Sequence, residues 1–116
     1  MKDIDIFKDV LEIVAQIPKG RVSTYGAIAR ALYSGGSARM VGWALNSSRG
    51  RIPYVPAHRV VNRVGQLTGQ VHFSKNLSMK ELLEREGIRI KDNRVVDFHK
   101  VFWNPLSLAD DISDDI

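Results

Sequence analysis

The chain of 116 residues contains no cysteine. That excludes a disulfide framework, a thiolate-bound metal and a thiol nucleophile together. The fold must therefore be held by buried apolar surface, and a chain of this length builds one domain around a single modest core. An apolar fraction of 44% and a charged fraction of 26% are those of an ordinary globular sequence, which argues against a chain disordered throughout. No apolar run approaches the roughly 20 residues that span a bilayer. The start, Met1-Lys2-Asp3-Ile4-Asp5, lacks the apolar stretch of a signal peptide.

The net charge of +4 conceals how the charges are arranged. From Ile13 to Lys80 there is no aspartate or glutamate, while Lys19, Arg21, Arg30, Arg39, Arg49, Arg51, Arg59, Arg63, Lys75 and Lys80 fall inside that stretch. Acids precede it (Asp3, Asp5, Asp9, Glu12) and follow it, ending in Asp110, Asp111, Asp114 and Asp115. A charge run is usually a solvated face. A basic block without counter-charges over more than half the chain is instead the footprint of a surface that binds a polyanion, nucleic acid first. A cytoplasmic, nucleoid-associated location is the matching expectation.

Hydrophobic spacing gives the elements. Ile6, Phe7, Val10, Leu11, Ile13, Val14 and Ile17 recur at helical intervals and predict a helix over Ile4 to Ile17, ended by Pro18-Lys19-Gly20. Ser23 or Thr24 supplies a cap for a helix from Tyr25 to Leu32, and Ser37 caps another from Ala38 to Asn46 with Val41, Ala44 and Leu45 turned inward. Two short helices joined by a glycine turn form a helix-turn-helix pattern, weak alone and strengthened by its place in the basic block. His58 to Asn62 reads as a short strand and Leu67 to Asn76 as a long loop. Met79 to Arg85 reads as a helix opened by a Ser78/Glu81 capping box. Lys91-Asp92-Asn93 is the turn of a hairpin, and the aromatics up to Trp103 pack back on the body. Residues 1–108 are expected to form the domain and 109–116 an acidic, disordered tail.

Four motifs then occur in one order: Val22-Ser23-Thr24-Tyr25-Gly26, Ala38-Arg39-Met40-Val41-Gly42, Pro56-Ala57-His58-Arg59-Val60-Val61-Asn62 and Leu83-Glu84-Arg85-Glu86-Gly87. Together they resemble the C-terminal domain of the O6-alkylguanine-DNA alkyltransferases, and most closely the alkyltransferase-like proteins, over about three quarters of the chain. The family pattern is Pro-Cys-His-Arg-Val, whose cysteine takes the alkyl group from guanine; here that position is Ala57. Alkyl transfer requires a soft thiolate activated by a neighbouring base. The resemblance places His58 and Glu86 at the family's activating pair. Ala57 offers neither a proton nor a lone pair, so the site has no catalytic residue in that sense, and the pair reads as a vestigial relay that orients the loop.

What else the resemblance implies is specific to residues. Arg39 stands at the arginine that replaces an extruded base in the stack, although an arginine in the first turn of a basic helix is ordinarily a phosphate contact. Tyr25 stands at the tyrosine that crowds the phosphate beside the target nucleotide, its bland alternative being a half-buried core aromatic. Thr24, Tyr25, Ala38, Arg39, Met40 and Asn46 are the expected DNA-binding residues, with Trp43 open between DNA and core. Tyr25, Pro56, Ala57, His58, Val60 and Gln70 are the expected lesion pocket. The loop from Gln66 to Phe73 stands where the family has a lid, but the usual Tyr-Ser-Gly-Gly is replaced by Thr68-Gly69-Gln70-Val71-His72. His72 and His99 read as surface or packing residues. Three histidines, no cysteine and no paired carboxylates give no metal site, and there is no phosphate-cradling glycine loop.

The sequence thus predicts a mainly α fold with small β hairpins, a winged-helix-like domain containing the helix-turn-helix. The predicted function is non-enzymatic recognition of O6-alkylguanine in double-stranded DNA by base flipping, with lesions channelled to nucleotide excision repair proteins. A monomer without cofactor or membrane attachment is expected. The alternatives are a helix-turn-helix DNA-binding regulator with a vestigial pocket, and an enzyme in which His58 and Glu86 activate water.

Overall fold

In the structure of the protein, a computed structural model, residues 2–32, 36–47, 55–68 and 78–106 are described. Helix α1 (Lys2–Ala15) carries Val10 and Val14 into the interior, and Ile17 follows them in the turn beyond. Strand β1 (Ser23–Thr24) leads directly into α2 (Tyr25–Arg30), and α3 (Ala38–Ser47) follows. A 3-10 turn at Ala57–Arg59 runs into β2 (Val60–Val61). Helix α4 (Met79–Arg85), the hairpin β3 (Ile90–Lys91) with β4 (Arg94–Val95), and α5 (Phe98–Val101) complete the order.

The caps explain where the helices begin. Thr24 Oγ1 accepts from Ala27 N–H at 3.0 Å, so Thr24 rather than Ser23 opens α2. Ser37 Oγ accepts from Met40 N–H at 3.2 Å at the head of α3. Ser78 Oγ accepts from Glu81 N–H at 3.1 Å, as the capping box requires, but Glu81 Oε1 reaches the Ser78 hydroxyl (3.2 Å) instead of the backbone. Beyond α4, Gly87 at φ +90° provides the left-handed residue that ends a helix, and Ile88 N–H bonds back to Leu83 O at 3.1 Å. Helix ends differ from the periodicity by about two residues: α1 starts earlier and stops at Ala15, and α2 stops at Arg30.

The buried apolar residues fall into two clusters rather than the single core expected. One joins α1, α2 and α3 through Val10, Val14, Ile28, Ala29, Val41, Ala44 and Leu45. The other gathers Val22, Leu67, Met79, Leu83, Ile88 and Val95 on the α4 and hairpin side. Strand β2 lies between them, because successive strand side chains point to opposite faces. Val60 enters the first cluster and Val61 the second. β1 and β2 pair in parallel, Ser23 with Val60 and Thr24 with Val61, so this sheet is not a hairpin. The one hairpin among the described residues, β3–β4, turns on Asp92 and Asn93 at φ 52° and 62°, two positive values in succession that suit strand twist. Its far edge continues through Val95 N–H to Gly65 O (2.9 Å), and Val22 is bracketed by Val101 O (2.9 Å) and Trp103 N–H (2.7 Å). The aromatics close back as expected, Phe98 against the second cluster and Trp103 against the first.

Candidate nucleic-acid interface

The paired helices present one wet face. On α3 Val41, Ala44 and Leu45 are buried, while Ala38, Arg39, Trp43 and Asn46 are exposed. Met40 is half-buried, its sulfur near Gly36. Arg39 is thus exposed in the first turn of a helix that contains no acid. Trp43, open between DNA and core in the sequence, is 59% exposed and so not part of the core. Thr24 is buried, with its hydroxyl committed to the α2 cap. Tyr25, the first residue of α2, is half-buried against the α1–α2–α3 core. Burial pushes the Tyr25 hydroxyl pKa up, against a hydrogen bond with Thr68 that lowers it. Burial prevails, and the phenol stays neutral at ordinary pH.

The Pro-Ala-His-Arg-Val segment folds as a tight turn against α4. Pro56 is buried and Ala57 half-buried, with Ala57 N–H on Val55 O at 2.7 Å. His58 and Arg59 are both buried, at 6% and 8% exposure. Their common partner is Glu86, one residue past α4. His58 Nε2 lies 2.8 Å from Glu86 Oε2. Arg59 donates through Nε to both carboxylate oxygens at 3.0 Å and through Nη2 to Oε2 at 2.7 Å. Gly20 N–H adds a bond to Oε1 at 3.1 Å, and Arg59 Nη1 donates to Ile17 O at 2.8 Å. One carboxylate therefore clamps the turn after α1, the Ala57 turn and the end of α4.

This geometry corrects one inference from composition. Arg59 counts in the basic block by sequence, but it is withdrawn from the surface and neutralised by an acid lying beyond that block. The clamp's backbone members were not legible either; the only signal was the Pro18-Lys19-Gly20 turn, where Gly20 takes φ +84°. Val60, expected at the pocket, is fully buried in the first core cluster, held there by β2. Gln70 and His72 lie outside the described residues, as do the rest of the lid from Gly69 and the acidic tail. His99 is exposed, as a surface histidine should be. Among the described residues, no group of three histidines or carboxylates is placed to hold a metal ion.

The electrostatics fix the proton. Burial alone raises the Glu86 pKa, but Arg59, His58 and the Gly20 N–H outweigh it and hold the group at about 2. Glu86 is then a carboxylate at any ordinary pH and can only accept. Burial lowers the His58 pKa against the pull of Glu86, so the ring is neutral near pH 7. The Nε2 facing Glu86 must carry the hydrogen, leaving the lone pair on Nδ1. A neutral ring held this way keeps one lone pair that can accept a proton. At Ala57 the neighbour is a methyl group, which has none to give.

Known proteins resemble this chain in sequence and in fold. Residues 5–88 match the family model described as the 6-O-methylguanine DNA methyltransferase DNA-binding domain. Alkyltransferase-like protein 1 of Schizosaccharomyces pombe is 31% identical over 109 residues, covering 90% of this chain and all 100% of that protein. A DNA base-flipping protein of Vibrio parahaemolyticus is 36% identical over 100 residues, with 83% and 93% covered. A bifunctional methyltransferase/endonuclease of Thermoplasma volcanium is 33% identical over 100 residues; the match takes in 86% of this chain and only 31% of that longer protein. The relatives thus include both proteins named for methyl transfer and proteins named without it. The crystal structure of S. pombe Atl1 in complex with damaged DNA containing O6-carboxymethylguanine superposes with a TM-score of 0.68 at 31% identity, over 88% of this chain and 97% of that one. The chain belongs to the family of the 6-O-methylguanine DNA methyltransferase DNA-binding domain.

Proposed function

We propose that this protein recognises O6-alkylguanine in duplex DNA, holds the flipped nucleotide, and leaves its alkyl group in place. The observation that carries the reading is an assembled His58–Glu86–Arg59 clamp behind a residue, Ala57, that has no nucleophilic atom. The scaffold that would position a reactive thiol persists while the thiol does not. The S. pombe relative crystallised with O6-carboxymethylguanine DNA, and the relatives named for base flipping, support the same substrate for this chain.

Each residue then has a task. Helix α3 lies in the minor groove, and Arg39 enters the stack where the base has left, its planar guanidinium facing the orphaned partner. Tyr25 crowds the adjacent phosphate and helps turn the nucleotide out. The Pro56–Ala57–His58 turn forms the floor against which the alkylated base rests. Extrusion costs a few kcal/mol, offset by the inserted arginine, by phosphate contacts and by pocket contacts to the adduct. A monomer in the cytoplasm, acting at the nucleoid, then presents the held lesion to nucleotide excision repair proteins.

Equilibrium titration with an O6-methylguanine duplex and the matched guanine duplex tests the reading. The lesion duplex should bind at least about tenfold more tightly, a difference of about 1.4 kcal/mol, and Arg39→Ala should erase most of that gap. Equal affinity for the two duplexes would overturn lesion recognition and leave a general or sequence-reading DNA-binding protein.

A further inference from the structure

Trp43 is the most exposed large apolar side chain among the described residues, at 59%. An indole in water forgoes one of the largest burial gains any side chain can make. It stands on α3 four residues after Arg39 and three before Asn46, so the three project from one strip of the helix opposite Val41, Ala44 and Leu45. No other aromatic ring stacks on it among the described residues. Beside it, Gly42 has open space: a Cβ built there would meet nothing within 4 Å. Glycine inside a helix weakens it, and packing does not demand one at this position. Bare backbone flanked by an exposed indole and an exposed guanidinium makes a surface that an incoming molecule can approach closely.

We infer that Trp43 is a minor-groove contact of this chain, packing its indole against deoxyribose and base edges one helical turn from Arg39. The inference rests on the reading that α3 enters DNA. Four residues of helix separate the two anchors by about 6 Å along the axis, so the indole reaches sugars and bases beside the site of insertion rather than the lesion itself. Apolar side chains suit the floor and walls of that groove. The indole Nε1–H is a donor only, which matches the acceptors that the minor groove presents at A·T pairs. An exposed tryptophan also suits a protein surface. The want of any acid in α3, and throughout Ile13 to Lys80, favours a polyanion as the occupant.

The contact has a signature that separates it from lesion recognition. Because Trp43 does not touch the flipped base, its loss weakens damaged and undamaged duplexes by the same factor. Titration of the full chain with O6-methylguanine and guanine duplexes, comparing wild type, Trp43→Ala, Trp43→Phe and Arg39→Ala, reads this directly. Trp43→Ala should weaken both duplexes about 5- to 50-fold, the range of stacking and groove contacts, with Trp43→Phe recovering part of the loss. Wild-type tryptophan emission should be shielded from acrylamide on binding, and the shielding should vanish in Trp43→Phe, which retains only Trp103. Unchanged affinity in Trp43→Ala while Arg39→Ala binds weakly overturns the Trp43 contact alone. Unchanged affinity in both overturns the placement of α3 in DNA and this inference with it. A fall confined to the lesion duplex overturns the groove contact in favour of one to the flipped base.

Discussion

Glu86 joins three stretches that are far apart in sequence, and its ionisation is the price of their union. The carboxylate is only 8% exposed, yet it stays charged because Arg59, His58 and the Gly20 N–H converge on it. Unfolded, it titrates near 4.5; folded, at about 2. The unfolded chain therefore takes up the extra proton first as pH falls, so this contribution is complete above about 4.5 and is lost towards 2. His58 acts in the same direction. Its folded pKa lies below the ordinary histidine value of 6.5, so acidification below that value charges the unfolded chain before the folded one. Chemical denaturation across pH should show stability falling from about pH 6.5 and more steeply below 4.5; in Glu86→Gln the steeper limb should disappear from an already weakened protein. A flat profile between pH 5 and 3 would contradict the clamp. The same residues decide what a restored nucleophile can do. With Nε2–H on Glu86 and the lone pair on Nδ1, His58 is set to deprotonate a thiol, so Ala57→Cys should gain methyl transfer from O6-methylguanine DNA. The sign is a protein mass increase of one methyl, slowed further by His58→Ala. No mass increase would mean that the lid or the loop no longer presents the base to this position.

At the scale of elements, α3 combines two contrary features, an inward face of Val41, Ala44 and Leu45 and a glycine at its centre that packing does not require. Gly42→Ala should therefore stabilise the fold by about 0.5–1 kcal/mol, because alanine restricts the unfolded chain and the new methyl meets nothing. If α3 enters the groove as proposed, the same methyl should also weaken duplex binding by standing between the backbone and DNA. Thermal midpoints and titration of the one variant check both. A loss of stability would show that the space beside Gly42 is filled. Helices with a periodic apolar face and a capping hydroxyl were legible in the sequence, as Thr24, Ser37 and Ser78 show. So was the Asp92-Asn93 hairpin, because two residues at positive φ need such side chains. The parallel β1–β2 pair was not legible. Its strands are two residues long, too short for an alternating pattern, and their pairing joins Ser23 to Val60 across the whole helix-turn-helix. Helix α5 escaped for a like reason: Phe98-His99-Lys100-Val101 is a single turn with no repeat to detect.

For the molecule as a whole, the arrangement of charge is not legible from sequence order alone. The acid-free stretch announced a polyanion partner, but its cations do not act alike. Arg39 faces water on α3, whereas Arg59 is drawn inward by Glu86 from beyond the stretch. Sequence order cannot show this, because the clamp closes only when α4 packs beside the Ala57 turn. The motifs named the residues of the candidate site; the structure supplied the shared carboxylate and the exposure of Trp43. The proposed function joins two properties, selective holding of the lesion and the absence of alkyl transfer. Its most direct test is native mass spectrometry of limiting protein mixed with equal amounts of the O6-methylguanine duplex and the matched guanine duplex. One complex should dominate, protein with the lesion duplex in a one-to-one ratio, and both partners should be released with their masses unchanged. Equal occupancy of the two duplexes, a demethylated strand or a methylated protein would contradict it.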